Sequence, residues 1–104
     1  TCALPILSFE VYVRPEAEKD LKNAAEWYER RSDGLGDKFL DEVQIVFETL
    51  LEHPEIYPLI HRNTHRAVMN RFPFGIFYRI KEEMIVVLTV MHGSRHPSRW
   101  QFRA

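Results

Sequence analysis

The chain has 104 residues, 45% of them hydrophobic and 28% charged, and its 14 Lys+Arg nearly balance 15 Asp+Glu. That arithmetic fits one domain over residues 1–104, excludes two full domains, and permits a single small core without metal or disulfide staples. Cys2 is the only cysteine, which excludes an intramolecular disulfide and a Cys-based zinc site and points to a reducing cytoplasm.

Residues 1–8 open on an apolar stretch, Thr1 to Leu7, that lacks a basic flank and is broken by Pro5. They are expected to form a tail and not an export signal. Phe9 to Val13 alternates and is rich in aromatic and β-branched residues, so it reads as a first strand. Pro15 then suits the first position of a helix, and Glu16 and Glu18 fall where the helix dipole favours anions. Ala17, Leu21, Ala24, Ala25 and Tyr28 mark one apolar face of that helix from about Glu16 to Arg31.

The segment Ser32-Asp33-Gly34-Leu35-Gly36 is expected to break this helix. A second apolar stripe follows with Phe39, Leu40, Val43, Phe47, Leu50 and Leu51, and His53-Pro54 closes it, so the two helices form a hairpin. Residues 54–58 read as a turn-rich crossing. From Arg66 the period changes to that of strands. Arg66 to Arg71 is a short candidate strand, Phe74 to Lys81 alternates, residues 81–83 make a tight turn, and Ile85 to Met91 is apolar on both faces, as in a central strand. Pro97 to Gln101 reads as one closing helical turn. The expected fold class is α+β: an N-terminal β-strand, an α-helical hairpin, then a three-stranded antiparallel sheet, with the hairpin packed on one sheet face. The longest late apolar run, Met84 to Met91, is far short of a bilayer span.

The near-neutral net charge of −1 conceals a division. Residues 1–56 hold 6 basic side chains against 13 acidic ones, a balance of −7, whereas residues 57–104 hold 8 basic against 2 acidic, a balance of +6. Four of the five histidines also fall in the second half. An anionic or acidic partner for one face is the expectation. Arg66, Arg71, Arg79, Arg95, His96 and Arg99 are the candidate target-binding or nucleic-acid-binding residues, since fork-shaped guanidinium contacts suit phosphates and carboxylates. A second reading stays open, in which Arg66 and Arg79 pair with Glu82 or with the acids of the helices and Arg95 and Arg99 cap the C-terminus.

Other chemistry finds little support. His61 with His65 and His92 with His96 share a metal-like spacing, but Gly93 and Pro97 oppose a helix around the second pair and neither contains the central Glu of H-E-x-x-H. No metal or cofactor is expected. Ser94 lies in no nucleophile elbow, and Gly34-x-Gly36 lacks the preceding strand and third glycine of a phosphate-cradling loop. The aromatic residues Trp27 and Trp100 are expected to be packing anchors.

Several segments together resemble the RelE/ParE superfamily of bacterial toxins, in particular its ParE or plasmid-stabilisation branch. They are Pro15-Glu16-Ala17-Glu18-x-Asp20-Leu21, Trp27-Tyr28-Glu29, Gly34-Leu35-Gly36-Asp37-x-Phe39-Leu40, His53-Pro54-Glu55-x-Tyr57-Pro58, Arg71-Phe72-Pro73-Phe74, Phe77-Tyr78-Arg79-Ile80 and His92-Gly93-x-Arg95-x-Pro97-x-x-Trp100. The resemblance implies a growth-inhibiting cytoplasmic toxin of a type II toxin–antitoxin system, neutralised by a cognate antitoxin, as a toxin–antitoxin hetero-oligomer. ParE-like members act on DNA gyrase by binding; RelE-like members cut messenger RNA on the ribosome. For the nuclease alternative the residues implied are His92, Arg79 and Arg95, although Trp100, which cannot transfer a proton, stands at the aromatic position after Arg95. A third alternative is a non-toxic interaction module of the same fold.

Overall fold

In a computed structural model of the chain, residues 9–92 are described. The elements in order are β1 (Glu10–Val13), α1 (Pro15–Arg31), α2 (Leu35–Glu52), β2 (Leu59–His61), β3 (Thr64–Val68), β4 (Phe74–Lys81) and β5 (Met84–His92). They form a helical hairpin on one face of a five-stranded sheet ordered β1-β5-β4-β3-β2. This is the expected α+β class. Neither helix among the described residues is long and apolar enough to cross a membrane.

The helices begin and end for local reasons. Pro15 opens α1, with Glu16 and Glu18 in its first turn and Arg30 and Arg31 in its last, so charge at both ends complements the dipole. The turn is narrower than the sequence suggested, because Leu35 and Gly36 already belong to α2. Glu29, on α1, accounts for this: its Oε2 accepts from the Gly34 N–H and its Oε1 from the Gly36 N–H, both at 3.0 Å, so a carboxylate of one helix caps the start of the next. Gly34 lies at φ +83°, where a side chain would be strained. At Gly36 a Cβ would stand 2.6 Å from the Ala25 carbonyl oxygen, so only glycine lets the helices approach this closely.

The sheet differs from expectation in one strand. Residues 59–61 form β2, whose three residues are too few to show a period, and Arg62 at φ 49° turns the chain into β3. β3 starts at Thr64 and stops at Val68, not at Arg71. β1 joins the sheet parallel to β5, with Glu10 opposite Met84 and Val13 opposite Val87. The apolar run of β5 is central, as its composition required, between β1 and β4.

Core residues from both layers meet between helices and sheet: Ala17, Ala24 and Tyr28 from α1, Phe39, Val43, Val46 and Leu50 from α2, and Ile76, Tyr78, Ile85, Val87 and Val90 from the strands. Tyr28, Phe39, Phe72 and Phe74 form an aromatic cluster with centroid distances of 4.8–6.0 Å. Asp20 reaches past the end of β1 to the buried edge of β5 beyond it, where its Oδ2 accepts from Thr89 Oγ1 at 2.7 Å and from the Val90 N–H at 3.1 Å. That carboxylate serves a backbone donor that no strand among the described residues reaches, since β1 pairs with β5 only as far as Val87. Trp27 does not act as a buried anchor. It is half-exposed, with the Arg31 guanidinium 4.1 Å above its ring.

Candidate functional site

Alternation along β4 sends Phe74, Ile76, Tyr78 and Ile80 toward the helices and Gly75, Phe77 and Arg79 to the opposite face. The pairing register carries this division onto β3, because Thr64 faces Arg79 and Arg66 faces Phe77. Arg66 and Arg79 therefore stand on the same sheet face, away from the helical hairpin, as diagonal cross-strand neighbours on either side of the Thr64–Arg79 and Arg66–Phe77 pairs. Gly75 contributes by having no side chain: a Cβ there would lie 3.2 Å from Arg66 Cγ and 3.3 Å from its Cδ, so the stem of Arg66 lies over the glycine. Phe77 and Leu88 are buried yet stand apart from the helix-side core. Phe77 thus supplies this face with an apolar floor beside Arg66. Thr64, between β2 and Arg79, is fully buried, and its Oγ1 has no hydrogen-bond partner among the described residues.

Arg71 is not part of this face. Because β3 ends at Val68, Arg71 lies in the β3–β4 connection, where α2 takes hold of it. Glu42 Oε2 accepts the Asn70 N–H at 2.5 Å and the Arg71 N–H at 3.0 Å, and the Arg71 guanidinium nitrogen Nε lies 3.8 Å from Glu42 Oε1. Arg71 thus meets a helix acid, a pairing that the second reading of the basic set gave to Arg66 and Arg79 and not to Arg71. Arg95, His96 and Arg99 lie outside the described residues.

The acid–base constellation of the nuclease alternative is not assembled by its described members. His92 pairs with Phe74 and packs its ring edge-on against it at 5.5 Å, on the helix side of the sheet. Arg79 is on the other face and five residues further along β4, roughly 16 Å away at about 3.3 Å per residue. The histidine pair of metal-like spacing separates as well. His61 pairs with Thr64, whereas His65 pairs with Leu59, is buried, and donates from Nδ1 to the Tyr57 carbonyl oxygen at 2.7 Å. The His65 ring also stacks on Tyr78 at 5.0 Å.

The polar contacts of three residues important to this architecture, Asp20, Glu42 and Tyr78, were not foreseen from the sequence. Glu42 could have been found, since it follows Phe39 by three and precedes Val46 by four, inside the buried stripe of α2. Tyr78 donates its hydroxyl to the Pro54 carbonyl at 2.8 Å, tying the sheet to the end of α2. Burial pushes its phenol far above the ordinary tyrosine range, and burial raises that of Tyr28 too.

The model of the ParE toxin of type II toxin–antitoxin systems, parDE, matches residues 11–97. Two solved structures share the fold. One is the chromosomal ParDE toxin–antitoxin system from P. aeruginosa, with TM-score 0.61 and 18% identity over 83% of this chain and 97% of that one. The other is the RelBE2 toxin–antitoxin complex from Mycobacterium tuberculosis, with TM-score 0.56 and 20% identity over 82% of this chain and 98% of that one. No curated protein matches significantly in sequence. With a family match that runs from β1 through β5 and a fold shared with toxin–antitoxin structures, the chain belongs to the ParE toxin family of type II toxin–antitoxin systems.

Proposed function

We propose that this protein is a ParE-like toxin that arrests growth by gripping a macromolecular target, DNA gyrase by family resemblance, and that a cognate antitoxin neutralises it in the cytoplasm. The observation that carries this reading is the placement of Arg66 and Arg79 together on the sheet face opposite the helices, while His92 lies on the other face. Two guanidinium groups beside a buried aromatic floor suit the grip of an acidic surface. A strand-cutting reaction on RNA needs an acid or base at the same phosphate, and His92, the residue named for that role, lies on the face opposite the arginines. The antitoxin is proposed to occupy the apolar groove beside the helical hairpin as a helix or strand, with its acidic part reaching the arginines.

Inducible expression with and without the neighbouring antitoxin gene tests the proposal. Growth should stop on induction with DNA-damage signalling and intact messages, and the Arg66→Ala/Arg79→Ala double variant should lose most of the effect while keeping its fold. Codon-positioned message cleavage, or unaffected growth with no antitoxin that co-purifies, refutes it.

A further inference from the structure

The core of α2 is accounted for by Gly36, Phe39, Glu42, Val43, Val46 and Leu50. A second stripe runs along the helix at Asp37, Leu40, Asp41, Gln44, Ile45, Glu48, Leu51 and Glu52, the spacing of one helical face, and every one of these residues is exposed. Three are large and apolar: Leu40 is 43% exposed, Ile45 59% and Leu51 40%. Four are carboxylates, and Asp37 with Asp41 and Glu48 with Glu52 are each four residues apart, an arrangement of like charges that weakens a helix. Glu52 stands at the negative end of the helix dipole, and the last turn contains no basic residue. The stripe thus combines exposed apolar surface with an excess of negative charge, which Lys38 at its margin and a 3.4 Å hydrogen bond from Gln44 to Glu48 offset only in part.

We propose that the outer face of α2 is a docking surface for a cationic amphipathic helix of a protein partner. Charge complementarity selects this occupant. A helix bearing Lys or Arg along one face neutralises all four carboxylates and the C-terminal dipole end together, while its apolar residues cover Leu40, Ile45 and Leu51. A neutral apolar partner leaves the carboxylates in repulsion, and an acidic one adds to it. This surface lies on the side of the molecule opposite the arginine-bearing sheet face and does not depend on the toxin reading.

The test uses a synthetic helical peptide of about five turns with Lys/Arg on one face and Leu beside them, compared with a scrambled peptide of the same composition. Fluorescence anisotropy should show the amphipathic peptide binding at least about tenfold tighter than the scrambled one, and more weakly as salt rises. Amide shifts in the nuclear magnetic resonance spectrum should cluster on residues 37–52. Ile45→Ser should weaken binding roughly tenfold and Asp41→Lys with Glu48→Lys should abolish it, whereas Ile45→Leu keeps it. Far-UV circular dichroism confirms that these exposed substitutions leave the fold intact. Equal binding of the scrambled peptide, shifts on the sheet instead of α2, or undiminished affinity in the charge-reversed variant overturns the proposal. So does self-association of the wild type through this face with no peptide bound.

Discussion

Glu42 offers the sharpest quantitative test of how the layers are joined. Its carboxylate is nearly buried on α2 and holds the β3–β4 connection through two backbone N–H groups, with only a long contact to the exposed Arg71 side chain. Replacing it with alanine removes two charge-assisted hydrogen bonds, each worth about 1.5–3 kcal/mol net when both partners are desolvated. Here Asn70 and Arg71 are exposed, so water recovers part of the loss, and relief of a buried charge and a better helix former recover more. The balance is a destabilisation of about 2–3 kcal/mol, a fall in melting temperature of roughly 10–20 °C for a domain this size. Glu42→Gln keeps a carbonyl able to accept both N–H groups, so it should cost about 1 kcal/mol. Arg71→Ala should cost about 0–1 kcal/mol, because an exposed guanidinium at 3.8 Å contributes little. Urea titration of the three variants measures the order, and hydrogen exchange at Asn70 and Arg71 should accelerate in Glu42→Ala. If Arg71→Ala destabilises as much as Glu42→Ala, the carboxylate holds the guanidinium and not the backbone, and the reasoning fails.

Three further outcomes are expected. Tyr78→Phe should lose about 1 kcal/mol with its bond to the Pro54 carbonyl. Because the phenol is held neutral in the fold beyond its ordinary range, stability is fully present below about pH 10 and falls above it as the unfolded tyrosines ionise, and the fall should be shallower in Tyr78→Phe; alkaline denaturation curves that coincide contradict this. Gly36→Ala should destabilise by about 1–3 kcal/mol, since the new methyl meets the rigid Ala25 carbonyl, and a thermal melt unchanged from wild type excludes the close approach. Asp20→Ala should cost about 1–3 kcal/mol and expose the Val90 amide to exchange, whereas unaltered protection there shows that another group serves the β5 edge.

The helices and the two long strands were legible because each has a long periodic pattern and an evident start, such as Pro15 or the alternation after Phe74. The short strand β2 was not, since three residues carry no period and its turn relies on a non-glycine residue, Arg62, at positive φ. The end of β3 was misplaced for a related reason. Residues 69–71 look extended in sequence, but a carboxylate 28 residues away on α2 bends them from the ladder. At the site, the shared face of Arg66 and Arg79 follows from strand parity and register, and only the parity is written in the sequence. The parting of Arg71 and His92 from that face depends on where strands stop and which layer each one meets. Those are tertiary facts.

The parallel pairing of β1 with β5 also bears on how the chain acquires its structure. Glu10 finds Met84 only 74 positions later, so β1 waits for the last of the described strands. At about 5–20 residues per second, α1 and α2 emerge from the ribosome several seconds before the strand that divides their apolar faces from water. Closure of so distant a contact is slow relative to the local hairpins β2–β3 and β4–β5. Synthesis that halts before β5 therefore leaves these residues with neither the strand between β1 and β4 nor a joined β1 edge.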